Sequence, residues 1–336
     1  ASDVYKRQVY DGTTTATISG NSLTLTGLIN GDTVSINTGS TTAVFADKNV
    51  ANTKTVTLTA APITGAQAAN YSITLSGAPT ATANITAKEL TLAGSFTASN
   101  KVYDGTTTAT IASNNLTLTG LINGDTVSIN TSSTTATFSD RNVANGKSVS
   151  LSATALTGAN ASNYSITLAG APTTTANITP KELTIAGSFT ASNKVYDGTT
   201  TATIASNSLT LTGLISGDTV SINTGSTTAT FADRNVADNK SVSLTATALT
   251  GANAANYTIT LTGAPSTSAN ITPKELTIAG SFTASNKVYD GTTAATIASN
   301  SLTLTGLISG DTVSINAGST TASFSDRNVA NGKAVS

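Results

Sequence analysis

The chain has 336 residues, with 16 Lys and Arg against 17 Asp and Glu, and it contains no Cys, Met, Trp or His. The missing Cys and His remove disulfides, thiol chemistry and the usual zinc, haem and general-base options. With 10% charged residues and no basic stripe, nucleic-acid binding is disfavoured. No stretch approaches the roughly 18 consecutive apolar residues that a membrane-spanning helix needs.

Read from the first residue, the chain opens on Ala1 to Gln8, a segment that matches nothing further on. Residues 2–8 resemble translated adaptor sequence, and 1–8 are therefore set apart as foreign to the fold. The motif Val9-Tyr10-Asp11-Gly12 follows, and it returns as Val102-Tyr103-Asp104-Gly105, Val195-Tyr196-Asp197-Gly198 and Val288-Tyr289-Asp290-Gly291, 93 residues apart each time. Residues 102–194 align on 195–287 without a gap and with 12 differences, nearly all among small or polar residues. The apolar pattern of the two is identical, so they are copies of one domain with one core. A 93-residue period suits a small domain and exceeds the roughly 20–50 residues of a solenoid coil, which predicts separate beads in tandem. The last residue, Ser336, stands in mid-repeat, at the position of Ser150 and Ser243.

Within the complete copy, alternation with period two predicts strands in order at Leu116–Thr119, Val127–Asn130, Ala136–Phe138, Val149–Ser152 and Tyr164–Leu168. Each sets aliphatic residues on one face and hydroxyls on the other, and β-branched Thr suits a wet strand face. Turn signals separate them at Asp104-Gly105, Asn123-Gly124-Asp125, Asn145-Gly146 and Gly158-Ala159-Asn160. Short strands at such spacing predict an all-β protein of tandem immunoglobulin-like antiparallel β-sandwiches placed end to end, each with a thin aliphatic core. Pro180 cannot donate to a β-ladder, which puts a boundary just before it. The predicted organisation is 9–86, a repeat lacking its first strand, then complete repeats at 87–179 and 180–272, then a truncated repeat at 273–336. If the strands run along a stalk, each bead adds roughly 30–40 Å.

The signature residues Tyr10, Asp11, Gly12, Tyr103, Asp104, Gly105, Tyr196, Asp197, Gly198, Tyr289, Asp290 and Gly291 admit two readings. Asp104, with Asp125 and Asp140, offers hard oxygens to calcium. The structural alternative is a turn whose Tyr packs inward with its hydroxyl satisfied. The Tyr of Asn163-Tyr164 has the context of a sandwich corner tyrosine. Few acids per repeat, most in turn-like settings, and the lack of His and Cys argue against glycosidase or triad chemistry, so neither catalytic residues nor a cofactor are expected. Lys101 and Lys147 lie among many Asn, which makes a Lys–Asn isopeptide conceivable, but no spacing singles out a reactive trio.

The ordered set Lys194-Val195-Tyr196-Asp197-Gly198, Leu214, Gly217-Asp218, Val220, Asp233, Asn235-Val236, Lys240, Asn256-Tyr257 and Ile271-Thr272-Pro273-Lys274 resembles the YDG repeats of filamentous-haemagglutinin-like and other large bacterial surface adhesins. The resemblance runs from Val9 onward. One departure is Ala51, Ala144, Ala237 and Ala330 after Asn-Val, where that family often has Gly. The resemblance implies an immunoglobulin-like or related β fold, exposure at the bacterial surface and no catalysis. The expected role is the repetitive stalk of a secreted adhesin, outer-membrane-associated on a Gram-negative cell, whose partners are the neighbouring repeats. The alternative is multivalent binding of host glycan or matrix by the repeats themselves.

Overall fold

The computed structural model describes residues 7–336, so most of the 1–8 segment lies outside the described residues. Gln8 does not stand apart from the fold: it pairs with Ile85 in a parallel bridge and its amide accepts from the Thr17 N–H at 2.7 Å. The chain divides into two compact units, Ala1–Lys181 and Glu182–Ser336. Among the described residues the regular elements are β-strands and short 3-10 turns.

The complete copy in the first unit shows how the repeat is built. One sheet has three strands, in the order Ile111–Thr119, Lys88–Ala98, Tyr164–Thr167. The other has five, in the order Thr108–Ala109, Ser128–Phe138, Ala144–Thr157, Thr173–Thr179, Lys101–Val102. The pairing is mixed, which differs from the purely antiparallel expectation. Tyr164–Thr167 runs parallel to Lys88–Ala98, and Lys101–Val102 runs parallel to Thr173–Thr179. Both parallel partners come from opposite ends of the repeat, so the copy is closed by joining its beginning to its end.

Alternation holds along the strands. In Lys88–Ala98 the residues Leu90, Leu92 and Phe96 are buried while Thr91 and Thr97 are outside. On the wet face hydroxyls meet across strands, Thr97 with Ser113 at 2.6 Å and Thr135 with Ser152 at 3.0 Å. Such pairs keep a low-charge surface hydrated and add a few tenths of a kcal/mol each, about 0.2–1. The core is less aliphatic than expected, because each copy except the last buries a Phe in the five-stranded sheet: Phe45, Phe138 and Phe231.

The second unit repeats the plan. Its three-stranded sheet follows the order Ile204–Thr212, Lys181–Ala191, Tyr257–Thr260, and its five-stranded sheet runs Lys194–Val195, Ser266–Thr272, Ala237–Thr250, Ser221–Phe231, Thr201–Ala202. Ile185 and Phe189 from one sheet share a core with Phe231, Val242 and Ile271 from the other. Burying side chains of this size is worth about 1.5–3 kcal/mol each. Residues beyond Thr272 form short pairs, among them Phe282–Ala284 with Ile297–Asn300.

One expected turn and one expected strand end came out differently. Asn145-Gly146 lies inside the strand Ala144–Thr157 as a bulge, where the register with Thr173–Thr179 slips between Ala144 and Lys147. Gly146 has φ +62°, and its N–H is taken by Asn177 Oδ1 at 2.8 Å, so a side chain replaces the missing ladder bond. Leu168, expected in the last alternating run, falls just past Thr167. In the first unit the copies are not wholly separate beads either. One hydrophobic cluster contains Tyr10, Phe45, Val56 and Ile85 of the first copy with Leu90, Val127 and Tyr164 of the second.

Candidate functional site

The site is the place where one repeat meets the next, and it is assembled from two loops of the first copy and four residues of the second, Ile122, Asp125, Asn163 and Tyr164. The Tyr-Asp-Gly turn supplies the first loop. Asp11 Oδ1 accepts from the N–H and the hydroxyl of Thr13, at 2.8 and 2.9 Å, an Asx-type turn that fixes the chain locally. The same turn in the second copy adds a cation: Lys101 Nζ donates to Asp104 at 2.8 Å and lies 5.6 Å from the Phe138 ring centroid. In the third copy, Lys194 foremost and the Thr199 N–H and hydroxyl hold Asp197 down at about 2.

With the turn set by Asp, Tyr and Gly are free to face the neighbour. Tyr10 is 1% exposed, and its hydroxyl donates to Asp125 Oδ2 at 2.7 Å, across 115 residues. Tyr164 donates to the same oxygen at 2.6 Å and accepts from the Ile122 N–H at 3.1 Å. The two rings stand edge to face with centroids 5.3 Å apart, a favoured aromatic arrangement. Gly12 lies against Ile122: a β-carbon on it would fall 2.9 Å from Ile122 Cγ2. Tyr164 thus reaches back 42 residues, farther than a corner tyrosine, and serves the joint.

The second loop is residues 47–50. Lys54, buried along its stem, donates to Asp47 at 2.6 Å, and Asp47 also accepts from the Asn49 N–H at 2.8 Å. That pins the loop so that Val50 N–H donates to Asn163 Oδ1 at 2.9 Å, while Asn163 Nδ2 donates to Asn49 Oδ1 at 3.2 Å. Asn163 is 1% exposed, and a buried amide so paired fixes register, because leaving it unpaired is costly. Lys48 Nζ stands 3.4 Å from Asp125 Oδ1.

Asp125 is the centre of this joint. Hydrogen bonds, that from Tyr164 foremost, hold its carboxyl below the usual range against the opposing effect of burial, with Tyr10 and Lys48 adding to them. Burial first, and then the bond to Asp125, push the Tyr164 phenol up to about 12. Tyr10 is raised by the same two causes in the same order. Carboxylate and phenols are therefore locked as ion and neutral donors across neutral pH.

The second unit contains the Tyr–Asp and Gly–Ile parts of this joint between its two copies. Tyr196 donates to Asp311 Oδ1 at 2.9 Å, Arg234 lies 3.8 Å from that oxygen, and a β-carbon on Gly198 would fall 2.7 Å from Ile308 Cγ2. Tyr289 is 59% exposed, and Asp290 accepts from Lys287 at 2.8 Å.

The three carboxylates considered for calcium do not converge. Asp104 serves Lys101 and Thr106, Asp140 is paired with Lys147 at 2.6 Å, and Asp125 holds the two phenols. Among the described residues no group of three or more acids or other ligating side chains is placed to hold a metal ion. The inward-facing Tyr of the signature has its hydroxyl satisfied, but by the following repeat. The roles of Ile122, Asn163 and Lys48 went unnoticed in the sequence. The signal for the isoleucine was its recurrence as Ile29, Ile122, Ile215 and Ile308, just before a Gly-Asp pair in each copy.

The family model described as YDG domain matches residues 3–82, 86–175, 179–268 and 272–336. No curated protein matches the chain.

Proposed function

Because the chain belongs to the YDG domain family, we propose that it is the repetitive stalk of a secreted bacterial surface adhesin, holding a binding region away from a Gram-negative outer membrane. The observation that supports this reading is the Tyr10–Asp125–Tyr164 joint with its Gly12–Ile122 contact, a keyed junction of the kind a load-bearing spacer needs. In this reading each repeat is a variant of the immunoglobulin-like sandwich whose edges are closed by parallel strands. Its hydroxyl-rich, nearly neutral surface suits a spacer, and no catalytic role is proposed.

Pulling single chains by their ends tests the idea. The expected record is a series of force peaks, each followed by a length gain of about 300 Å, the contour of one 93-residue repeat. A smooth extension without peaks sinks the stalk reading.

A further inference from the structure

We propose that Tyr10 and Tyr164 form an oxidative cross-linking site, at which a one-electron oxidant joins the two rings into dityrosine and ties one repeat covalently to the next. The geometry is specific. Both hydroxyls donate to one carboxylate oxygen, Asp125 Oδ2, at 2.7 and 2.6 Å, and the ring centroids are 5.3 Å apart at an interplanar angle of 76°. The hydroxyl ends of the two rings are thus gathered on one oxygen before any reaction. Burial of both rings, 1% and 6% exposed, shields the pair from radicals formed elsewhere in solution. The chain has no Cys, so this is a route to a covalent staple that does not require disulfide chemistry.

The balance is simple. Each phenol loses one electron to the oxidant, a haem-peroxidase intermediate fed by hydrogen peroxide or an equivalent one-electron acceptor, and one proton. Asp125 accepts the first proton and passes it to solvent, and the second leaves by the same path. The two phenoxyl radicals couple through ortho carbons, and the ortho hydrogens then move as protons to the oxygens to restore both phenols. Two hydrogen atoms are lost and one carbon–carbon bond is gained.

Tyr71 on Asp32 at 2.6 Å and Tyr196 on Asp311 at 2.9 Å are internal comparisons, each a carboxylate receiving one phenol among the described residues.

The test uses the full chain with photoexcited tris(bipyridyl)ruthenium(II) and persulfate as the oxidant, followed by proteolysis and mass spectrometry. The expected product is a linked peptide pair containing Tyr10 and Tyr164, lighter by two hydrogens than its components. Tyr10→Phe should remove that pair, and Asp125→Asn should lower its yield several-fold. The same light dose in denaturant should also lose it, a comparison that needs no variant to fold. Absence of the linked pair from the native chain, under a dose that dimerises free tyrosine, overturns the proposal. Equal yield in native and denatured chain overturns it as well, because proximity would then owe nothing to the fold. Neither result bears on the force record that tests the stalk.

Discussion

Gly12 faces Ile122 of the following copy so closely that an added β-carbon would lie 2.9 Å from Ile122 Cγ2, and its φ is +81°. The signature glycine therefore meets two demands at once, a left-handed backbone and room for a neighbour. Gly12→Ala should cost about 1–2 kcal/mol for the backbone and about 1–3 kcal/mol more for the overlap. Gly124→Ala is the comparison, since Gly124 has φ +91° with nothing within 4 Å, and it should show the backbone cost alone. Urea unfolding of both variants measures the difference. Adding Ile122→Ala to Gly12→Ala should recover part of the loss. Equal costs for the two glycines would show that the close approach is unimportant.

The shared carboxylate predicts a strong coupling. Tyr10→Phe and Asp125→Asn should each destabilise by about 1–3 kcal/mol, the range for bonds to charged and buried groups. The double variant should lose clearly less than the sum. Tyr289→Phe, on a ring that is 59% exposed, should stay within about 0.5 kcal/mol. Additive losses in the cycle would mean that the two residues do not act together.

Stability should depend on pH at both ends of the scale. Asp125 is depressed by Tyr164 foremost, so its contribution is present above the ordinary carboxylate value of about 3.9 and is lost as the pH falls through its lower folded value. Tyr164 is pushed up to about 12. Its contribution is complete below the ordinary phenol value of about 10 and is lost between there and the raised value. Thermal unfolding from pH 2 to 11, compared with Asp125→Asn, should show a difference that is flat from about pH 5 to 9 and shrinks on both sides. A difference independent of pH would contradict the assignment.

The bulge beside Lys54, Lys147 and Lys240 predicts a gain. Gly146 occupies it with φ +62°, whereas its counterparts Thr53 and Asn239 sit at +52° and +53°. Asn tolerates that conformation, but a β-branched residue there is strained. Thr53→Gly should therefore stabilise by about 1 kcal/mol, and Gly146→Thr should destabilise by a similar amount. Melting temperatures of the two variants must move in opposite directions for this account to stand.

Much of the repeat is legible in its sequence. Strict alternation in Val149-Ser150-Leu151 and Tyr164-Ser165-Ile166 marks strands because a pleat has only two faces. The parallel edges were invisible, since Lys101-Val102 is too short to show a period and its partner, Ile178-Thr179, lies far along the chain. Asn145-Gly146 has the composition of a hairpin turn, yet the same left-handed freedom serves a bulge, and only its partner Asn177 separates the two. The joint was half legible. Tyr10 and Gly12 announced themselves by recurrence, but their partners Asp125 and Ile122 are 115 and 110 residues on, and local pattern has no reach over that distance.

Within each of the two units the leading copy turns Tyr and Gly toward the next, which meets them with Asp and Ile. Adding or deleting any whole number of copies in frame recreates the same chemical lock at the new seam. Duplication of a whole repeat can thus lengthen the chain in a single step, because each copy brings both the Tyr-Asp-Gly motif and the Ile and Gly-Asp that receive it.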